Sequence, residues 1–127
     1  MNYVVIVSTL LLIQYTFFAM RAGLSRGKAD IKAPAMSGDE HFERNLRVQI
    51  NTLEQLIVTL PAMWVCAIYF RADVAAILGA TFLIARFMYS AAYIANPPSR
   101  APGMIIGFLA NIGLMGCSLF AAITALI

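Results

Sequence analysis

The chain has 127 residues, of which 61% are hydrophobic and 12% are charged, and its formal net charge is +3. Soluble domains are about half apolar and about a quarter charged, so this balance excludes an ordinary soluble protein and indicates an integral membrane protein. The length predicts one domain, residues 1–127, with no room for a separate soluble domain. Any chemistry is therefore expected in or beside the membrane-spanning part.

Four apolar stretches are each long enough to cross a hydrocarbon layer of about 30 Å as a helix. They cover residues 2–20, 53–70, 74–95 and 102–127. The predicted fold is an all-α integral membrane protein, a bundle of four transmembrane helices. No Lys or Arg precedes the apolar part of the first stretch, so we expect a retained span and not a cleaved secretory signal.

Basic residues cluster between the first and second stretches, and Arg100 lies between the third and fourth. The positive-inside rule then predicts that these connections are cytoplasmic and that both termini lie outside. The net charge is explained by this topology, and no nucleic-acid partner is indicated. Cys66 and Cys117 lie deep in apolar runs and the chain has a single His, so neither a disulfide nor a metal site is indicated.

The second helix is predicted to be unusually long. After a polar loop that begins at Arg21, Ser37 and Asp39 are both plausible N-caps, and the helix should cover residues 41–70. At 1.5 Å per residue it would be roughly 45 Å long, so its first turns should project to the cytoplasmic side. Pro61 should kink it.

The other connections are predicted to be short. Residues 71–73 should form a tight outer turn, residues 96–98 should stop the third helix, and Pro102 suits the first turn of the fourth. The fourth span also contains four glycines, for which close helix packing is the favoured interpretation. They are Gly103, Gly107, Gly113 and Gly116.

Polar side chains follow one face of the second helix from its charged beginning into its apolar part. At 100° per residue, Arg44, Arg47, Asn51 and Glu54 fall within about 80°. Gln49 points about 140° away from Arg44, so it cannot serve the same pocket within one subunit but could serve a neighbour's. A solvated helix end with ion pairs is the alternative, but an unpaired carboxylate at Glu54 would be costly in the apolar region.

The third helix has a matching polar face, because Arg86, Tyr89 and Tyr93 fall within about 60° of one another. Tyrosines alone could be an interfacial aromatic belt. Arg86, however, should face the bundle interior and find a partner, for which Glu54 is the expected candidate. Together the two faces predict a polar crevice open to the cytoplasm, whose arginines favour a ligand with carboxylates while Glu54 could pair with an ammonium group.

The segment "FERNLRVQINTLE", residues 42–54, resembles the helix-two signature of the MAPEG family, the membrane-associated proteins in eicosanoid and glutathione metabolism. The segments "ARFMYSAAYIA", residues 85–95, and "SRGKADIKAP", residues 25–34, support the resemblance, which covers almost the whole chain. It implies a homotrimer that binds glutathione between adjacent subunits, near the cytoplasmic face. By position, the implied glutathione site comprises Arg47, Asn51, Glu54, Tyr89 and Tyr93 of one subunit, with Arg26 and Gln49 of the next. Arg86, from its place on the same helix face, is expected beside them.

The resemblance also implies a catalytic residue, since family enzymes use an arginine near the start of span four to stabilise the glutathione thiolate. Arg100 matches that position in an alignment with leukotriene synthase-like members, whereas in a prostaglandin synthase-like alignment it falls on Met104. A guanidinium lowers the pKa of a thiol, ordinarily about 8.5, and so produces a nucleophile at neutral pH. The alternative is that Arg100 only fixes the orientation of the protein in the membrane, as a basic residue on the cytoplasmic side.

Two departures from the family pattern bear on the substrate. Gln55 stands where eicosanoid-forming members often have Tyr, and the family's proline comes later, at Pro61. We therefore expect a general glutathione transferase of detoxification type, acting on small hydrophobic electrophiles, with or without peroxidase activity towards lipid hydroperoxides. The loop resembles bacterial members, which implies a bacterial inner membrane.

Two other functions are weighed against the enzyme. A non-catalytic lipid-binding scaffold of the same family would not need the full set of polar site residues. A small four-helix exporter of cationic drugs would need an acidic residue in its first span, where only Gln14 is available.

Overall fold

The computed structural model describes residues 1–127 and contains four long α-helices and no strand. They are α1 (Asn2–Lys28), α2 (Glu40–Tyr69), α3 (Ala72–Ala95) and α4 (Ala101–Leu126), with a short 3₁₀ helix at Pro97–Arg100 before α4. All four are long and apolar enough to cross a membrane. The predicted all-α fold with four membrane-spanning helices is confirmed.

The first helix is longer than predicted, because α1 continues past Met20 to Lys28. The prediction that the loop begins at Arg21 is therefore wrong. The added turns are held by tertiary contacts: Arg21 Nη2 donates to Ser90 Oγ of α3 at 2.5 Å, and the Arg26 guanidinium lies 4.6 Å from the centre of the Phe42 ring of α2. Contacts of this kind outweigh the weak helix preference of the glycines in this segment.

The second helix begins as predicted. Asp39 is the N-cap, and its side chain accepts a hydrogen bond from the Phe42 backbone N–H at 2.9 Å. From Glu40 the helix continues through Pro61 to Tyr69, a length of 30 residues. At 1.5 Å per residue this is roughly 45 Å, longer than a hydrocarbon layer of about 30 Å.

The two central helices, α2 and α3, each pack against all the others, while α1 and α4 lie on the two sides. Buried apolar residues of all four helices form one core, which includes Val4, Leu11, Met63, Phe82 and Leu114. The outward apolar side chains remain exposed, for example Ile57 at 69% and Ile68 at 64%. Such an outer surface suits contact with lipid.

The helices alternate in direction, so α1 and α3 finish, and α2 and α4 begin, at the same end of the bundle, here called the arginine end. The opposite end holds both termini and the short connection at Phe70 and Arg71. At the arginine end, Asn96 ends α3 and Pro102 lies in the first turn of α4, as predicted.

Close packing of α4 on α3 depends on one glycine. A Cβ added to Gly103 would lie 2.6 Å from the backbone nitrogen of Tyr89 and 2.9 Å from the carbonyl oxygen of Ala85. Gly107 and Gly113 face the Phe82 and Leu78 side chains at 3.2 Å or more, whereas nothing lies within 4 Å of Gly116. The packing interpretation therefore holds most strongly for Gly103 and does not hold within the chain for Gly116.

Candidate functional site

The polar faces of α2 and α3 meet at Arg86, whose side chain is almost completely buried at 3% exposure. Its Nη2 donates to Asn51 Oδ1 at 2.9 Å and to Thr52 Oγ1 at 2.8 Å. Its guanidinium carbon lies 4.1 Å from the centre of the Tyr89 ring. Arg86 thus faces the interior, as predicted.

The predicted partner of Arg86 was wrong, however, because Glu54 forms its ion pair with Arg47 and makes no hydrogen bond or ion pair with Arg86. The Glu54 side chain is 56% exposed and its carboxylate lies 3.8 Å from Arg47 Nη1, two helical turns earlier on α2. Asn51 and Thr52 lie on the side of α2 that faces α3, and they accept the hydrogen bonds of the Arg86 guanidinium instead.

The pair formed by Arg47 and Glu54 is loosely held. Both side chains are more than half exposed and the separation of 3.8 Å is at the long end for an ion pair. Exposed pairs of this kind contribute little to stability, so neither group needs the other for the fold. A carboxylate ligand and an ammonium ligand could therefore approach Arg47 and Glu54 at little cost in stability.

The two predicted tyrosines stack on each other, with ring centres 5.6 Å apart and an angle of 27° between the planes. Tyr89 is buried, and Tyr93 is half-buried at the wall of a cavity of about 480 Å³ near the arginine end. Arg44, Arg47, Glu40 and Glu43 lie on the other wall. This cavity carries charge of both signs.

A second cavity, of about 320 Å³, lies further from the arginine end, between α2, α3 and α4. Asn51, Gln55 and Arg86 form its polar wall, and Met104 and Phe108 belong to its apolar wall. The predicted site residues therefore lie along two cavities, with Arg47 and Tyr93 at the first and Asn51 and Arg86 at the second. Glu54 lines neither.

Arg44, although on the predicted stripe, has structural partners. Its Nη1 donates to the carbonyl oxygen of Ile94 at 2.8 Å, and its Nη2 pairs with Glu40 one turn earlier. Basic side chains near a helix C-terminus can donate hydrogen bonds to its last carbonyl oxygens, so Arg44 of α2 stabilises the C-terminal end of α3.

Arg26 and Gln49 lie away from this group. Arg26 Nη1 donates to the carbonyl oxygen of Ala35 at 2.6 Å, and Gln49 Nε2 lies 3.4 Å from the Tyr15 hydroxyl of α1. The first contact joins the last turn of α1 to the loop before α2, and the second lies on the side of α2 that faces α1. One chain does not bring them to Arg47, and their assignment to a neighbouring subunit's site stays a prediction.

Arg100 is exposed on the short 3₁₀ helix, where its Nη1 donates to the carbonyl oxygen of Pro97 at 3.1 Å. It makes no hydrogen bond to the other predicted site residues. Its guanidinium therefore remains largely available to a ligand, and its catalytic role stays a prediction.

A polar contact between α2 and α4 was not foreseen from the sequence. Thr59 Oγ1 donates to Asn111 Oδ1 at 2.7 Å, and Asn111 Nδ2 donates to Gln55 Oε1 at 3.4 Å. The available signal was the spacing of Asn51, Gln55 and Thr59, four residues apart and so on one face of the helix, together with an asparagine inside the apolar fourth span. Sequence reasoning likewise missed Thr52 as a partner of Arg86.

These features define a four-helix, multi-pass integral membrane protein with a polar site between α2 and α3. Residues 4–120 match the family model described as the MAPEG family. The chain is similar to an uncharacterized protein of Synechocystis sp., with 39% identity over 110 residues that cover 87% of this chain and 80% of that protein. It is also similar to microsomal glutathione S-transferase 2 of Mus musculus, with 36% identity over 109 residues that cover 86% and 71%.

A third relative is leukotriene C4 synthase of Rattus norvegicus, with 31% identity over 84 residues that cover 66% of this chain and 56% of that protein. The family match extends over nearly the whole chain, and the first two relatives align with most of their own length. The protein therefore belongs to the MAPEG family, which confirms the resemblance found in its sequence.

Proposed function

We propose that this protein is a membrane-bound glutathione transferase that joins the glutathione thiolate to hydrophobic electrophiles, with a further peroxidase activity towards lipid hydroperoxides. The observation that carries the proposal is the contact of buried Arg86 with Asn51 beside the loosely held Arg47–Glu54 pair. The relatives named microsomal glutathione S-transferase 2 and leukotriene C4 synthase support it.

The site groups match glutathione, which carries two carboxylates, one ammonium group and one thiol. Arg47 would bind a carboxylate and Glu54 the ammonium, replacing their exposed contact with each other. Arg86 donates to Asn51 Oδ1, and the Asn51 amide N–H groups would donate to a carbonyl of the glutathione peptide. Tyr93, at the wall of the first cavity, offers a hydroxyl, and Tyr89 stacks beneath it.

In our proposal the protein is a homotrimer, and a neighbouring subunit completes the glutathione site. Arg26, in the last turn of α1, bonds to the loop before α2, and Gln49 faces α1, so within one chain neither makes a hydrogen bond to the Arg47 group. A neighbouring subunit that presents its own Arg26 and Gln49 to the face of α2 that carries Arg47 would supply both residues. The arginine end would then face the cytoplasm of a bacterial inner membrane, with both termini outside, as the positive-inside rule predicts.

Arg100 would hold the sulfur as thiolate. The thiol proton leaves to water, and the thiolate attacks the electrophilic carbon, so that a carbon–sulfur bond forms and the displaced electron pair leaves with its group. With a lipid hydroperoxide, two glutathione molecules become the disulfide while the peroxide becomes an alcohol and water. Both reactions need the thiolate, whose formation the Arg100 guanidinium favours.

The proposal assigns glutathione binding to Glu54 and thiolate stabilisation to Arg100, and two substitutions test this division of roles. Glu54→Gln removes the charge that pairs with the ammonium group and should weaken glutathione binding about tenfold. Arg100→Ala should leave glutathione binding unchanged and reduce turnover about 10- to 100-fold. The reason is that the thiolate fraction falls about tenfold for each unit by which the thiol pKa rises. Binding is measured by calorimetry in detergent and turnover with 1-chloro-2,4-dinitrobenzene.

The matched control is Arg71→Ala, because Arg71 lies at the opposite end of the bundle and pairs with Asp73. It should change neither quantity. Equal loss of binding in the Glu54 and Arg100 variants would contradict the division of roles. Binding and turnover left unchanged in both would refute the proposed site.

A further inference from the structure

Arg21 of α1 carries a positive charge that no acidic side chain of the protein neutralises. Helix α1 contains no acidic residue, and the one acidic residue of α3, Asp73, lies at the opposite end of the bundle. All three ion pairs of the chain form between other residues. A guanidinium has five N–H donors, yet Arg21 makes a single hydrogen bond, from Nη2 to Ser90 Oγ, and its buried Nε has no partner. Because a half-buried cation is costly beside lipid, an anion from outside the chain would stabilise it.

An apolar groove of about 320 Å³ between α1 and α3 leads to this charge. Its walls are mostly large apolar side chains, namely Leu10, Ile13 and Phe17 of α1 with Leu83 and Phe87 of α3. The guanidinium carbon of Arg21 lies 5.4 Å from the centre of the Phe17 ring, so the charge lies at the end of the groove. The α1 wall, residues 10–17, is roughly 10 Å long at 1.5 Å per residue. The groove therefore suits a hydrocarbon chain whose polar end reaches Arg21.

The depth of Arg21 suits the phosphate of a phospholipid. The part of α1 from Asn2 to Arg21 is roughly 28 Å long, close to the hydrocarbon thickness of about 30 Å. Arg21 thus lies near the boundary between hydrocarbon and headgroups. Lys28, two turns further on the same face of α1, is exposed and adds a second positive charge beyond it. One face of α1 therefore changes from apolar to cationic at the level of the lipid phosphates.

The groove lies on a different face of α1 from the one that the proposed trimer would use. Arg26, which we assign to the glutathione site of a neighbouring subunit, lies about 140° around the helix from Arg21. Leu83 and Phe87 belong to α3, which supplies neither of the residues assigned to the neighbour's site. The groove would thus remain open to lipid in the assembly.

We propose that the groove between α1 and α3 binds an anionic phospholipid, with an acyl chain along residues 10–17 and the headgroup phosphate at Arg21. A guanidinium binds phosphate oxygens in bidentate fashion. A phosphatidylcholine also offers a phosphate, but its choline brings a positive charge towards Arg21 and Lys28 and weakens the attraction. The inference does not rest on the proposed transferase function.

Photolabelling measures the headgroup preference of the groove. The full-length protein is reconstituted in phosphatidylcholine vesicles with a trace of a diazirine-bearing phosphatidylglycerol or of a diazirine-bearing phosphatidylcholine with the same acyl chains. Labelling of the peptides that contain residues 10–17 and 83–87 is measured by mass spectrometry. The phosphatidylglycerol should label them about fivefold more, since a basic side chain near the surface contributes about 1 kcal/mol to anionic lipid binding. Equal labelling by the two lipids would overturn the inference.

A pair of charge substitutions separates a site at Arg21 from a general attraction to the basic end of the bundle. Arg21→Gln removes the charge at the groove and should bring the two lipids to within about twofold of each other. Lys32→Gln is the matched control, because it removes the same charge from an exposed loop residue at the same end. It should leave the preference unchanged. An equal fall in both variants, or a preference that survives in Arg21→Gln, would overturn the inference.

A second pair of variants tests the groove without changing any charge, and it serves if Arg21→Gln loses its helical circular dichroism. Leu83→Trp places a larger side chain in the groove and should reduce labelling of residues 10–17 by the phosphatidylglycerol. Ile84→Trp makes a similar change at the next residue, which is exposed at 62% and does not line the groove, and labelling should persist. Equal labelling in these two variants would overturn the inference.

Inorganic phosphate distinguishes a lipid from a dissolved anion. Added to the vesicles, it should displace the phosphatidylglycerol no more than sodium chloride of the same ionic strength does, because it has no chain for the groove. Displacement by phosphate but not by chloride would overturn the lipid site in favour of a site for free anions.

Discussion

Replacement of Gly103 by alanine should loosen the contact between α3 and α4. The added Cβ would lie 2.6 Å from the Tyr89 backbone nitrogen and 2.9 Å from the Ala85 carbonyl oxygen. Both neighbours are backbone atoms of α3 and cannot rotate away as a side chain could. The start of α4 must therefore move away from α3, and Arg100 and Met104 move with it.

The size of the effect follows from these distances. Ordinary contact for a Cβ begins at 3.4 Å, so the helices must separate locally by about 0.8 Å. Overpacking of this kind costs about 1–3 kcal/mol. The better helix propensity of alanine returns up to about 1 kcal/mol. We expect a net loss of up to about 2 kcal/mol, or up to roughly 8 °C in the unfolding midpoint.

Gly116→Ala is the matched control, since it makes the same substitution in the same helix where nothing lies within 4 Å. Its unfolding midpoint should be unchanged or slightly higher. The assay is thermal unfolding of the detergent-solubilised protein followed by circular dichroism. A Gly103→Ala protein as stable as the Gly116→Ala protein would refute the close approach of α4 to α3 at this point.

Two further substitutions test individual contacts by the same thermal unfolding assay. Asp39→Ala removes the N-cap acceptor of the Phe42 N–H and should cost about 1 kcal/mol, whereas Asp39→Asn keeps an acceptor oxygen and should cost much less; equal losses would contradict the cap. Thr59→Val leaves buried Asn111 Oδ1 without its donor and should cost about 0.6–1.7 kcal/mol, whereas Thr81→Val on the outer face of α3 should be nearly neutral. Equal effects of the two threonine substitutions would show that the Asn111 contact does not stabilise the bundle.

Local signals in the sequence were sufficient for most of the fold. The four spans follow from hydropathy, the start of α2 from the capping side chain of Asp39, and the end of α3 from Asn96 and the prolines after it. Each of these features depends on residues that are neighbours in the chain. The end of α1 was missed because Arg21 and Arg26 are held by α3 and α2, which the local sequence does not reveal.

The candidate site was foreseen less completely, because its geometry depends on how the helices are rotated against each other. Helical spacing placed Arg86 towards the interior, but it could not distinguish Glu54 from Asn51 as its partner, since both lie on one broad face of α2. The structure resolves that choice in favour of Asn51. The pairing of Gln55 with Asn111 was missed for the same reason, since it joins α2 to α4.

The central claim is that the protein activates glutathione as a thiolate. The most direct test is the ultraviolet absorbance of thiolate when detergent-purified protein and glutathione are mixed near neutral pH, with wild type compared with Arg100→Ala. We predict thiolate absorbance in wild type and its loss in the variant, while glutathione still binds both. Absence of thiolate in wild type, in protein that elutes as a single species on gel filtration, would contradict the account and favour a lipid-binding protein without catalysis.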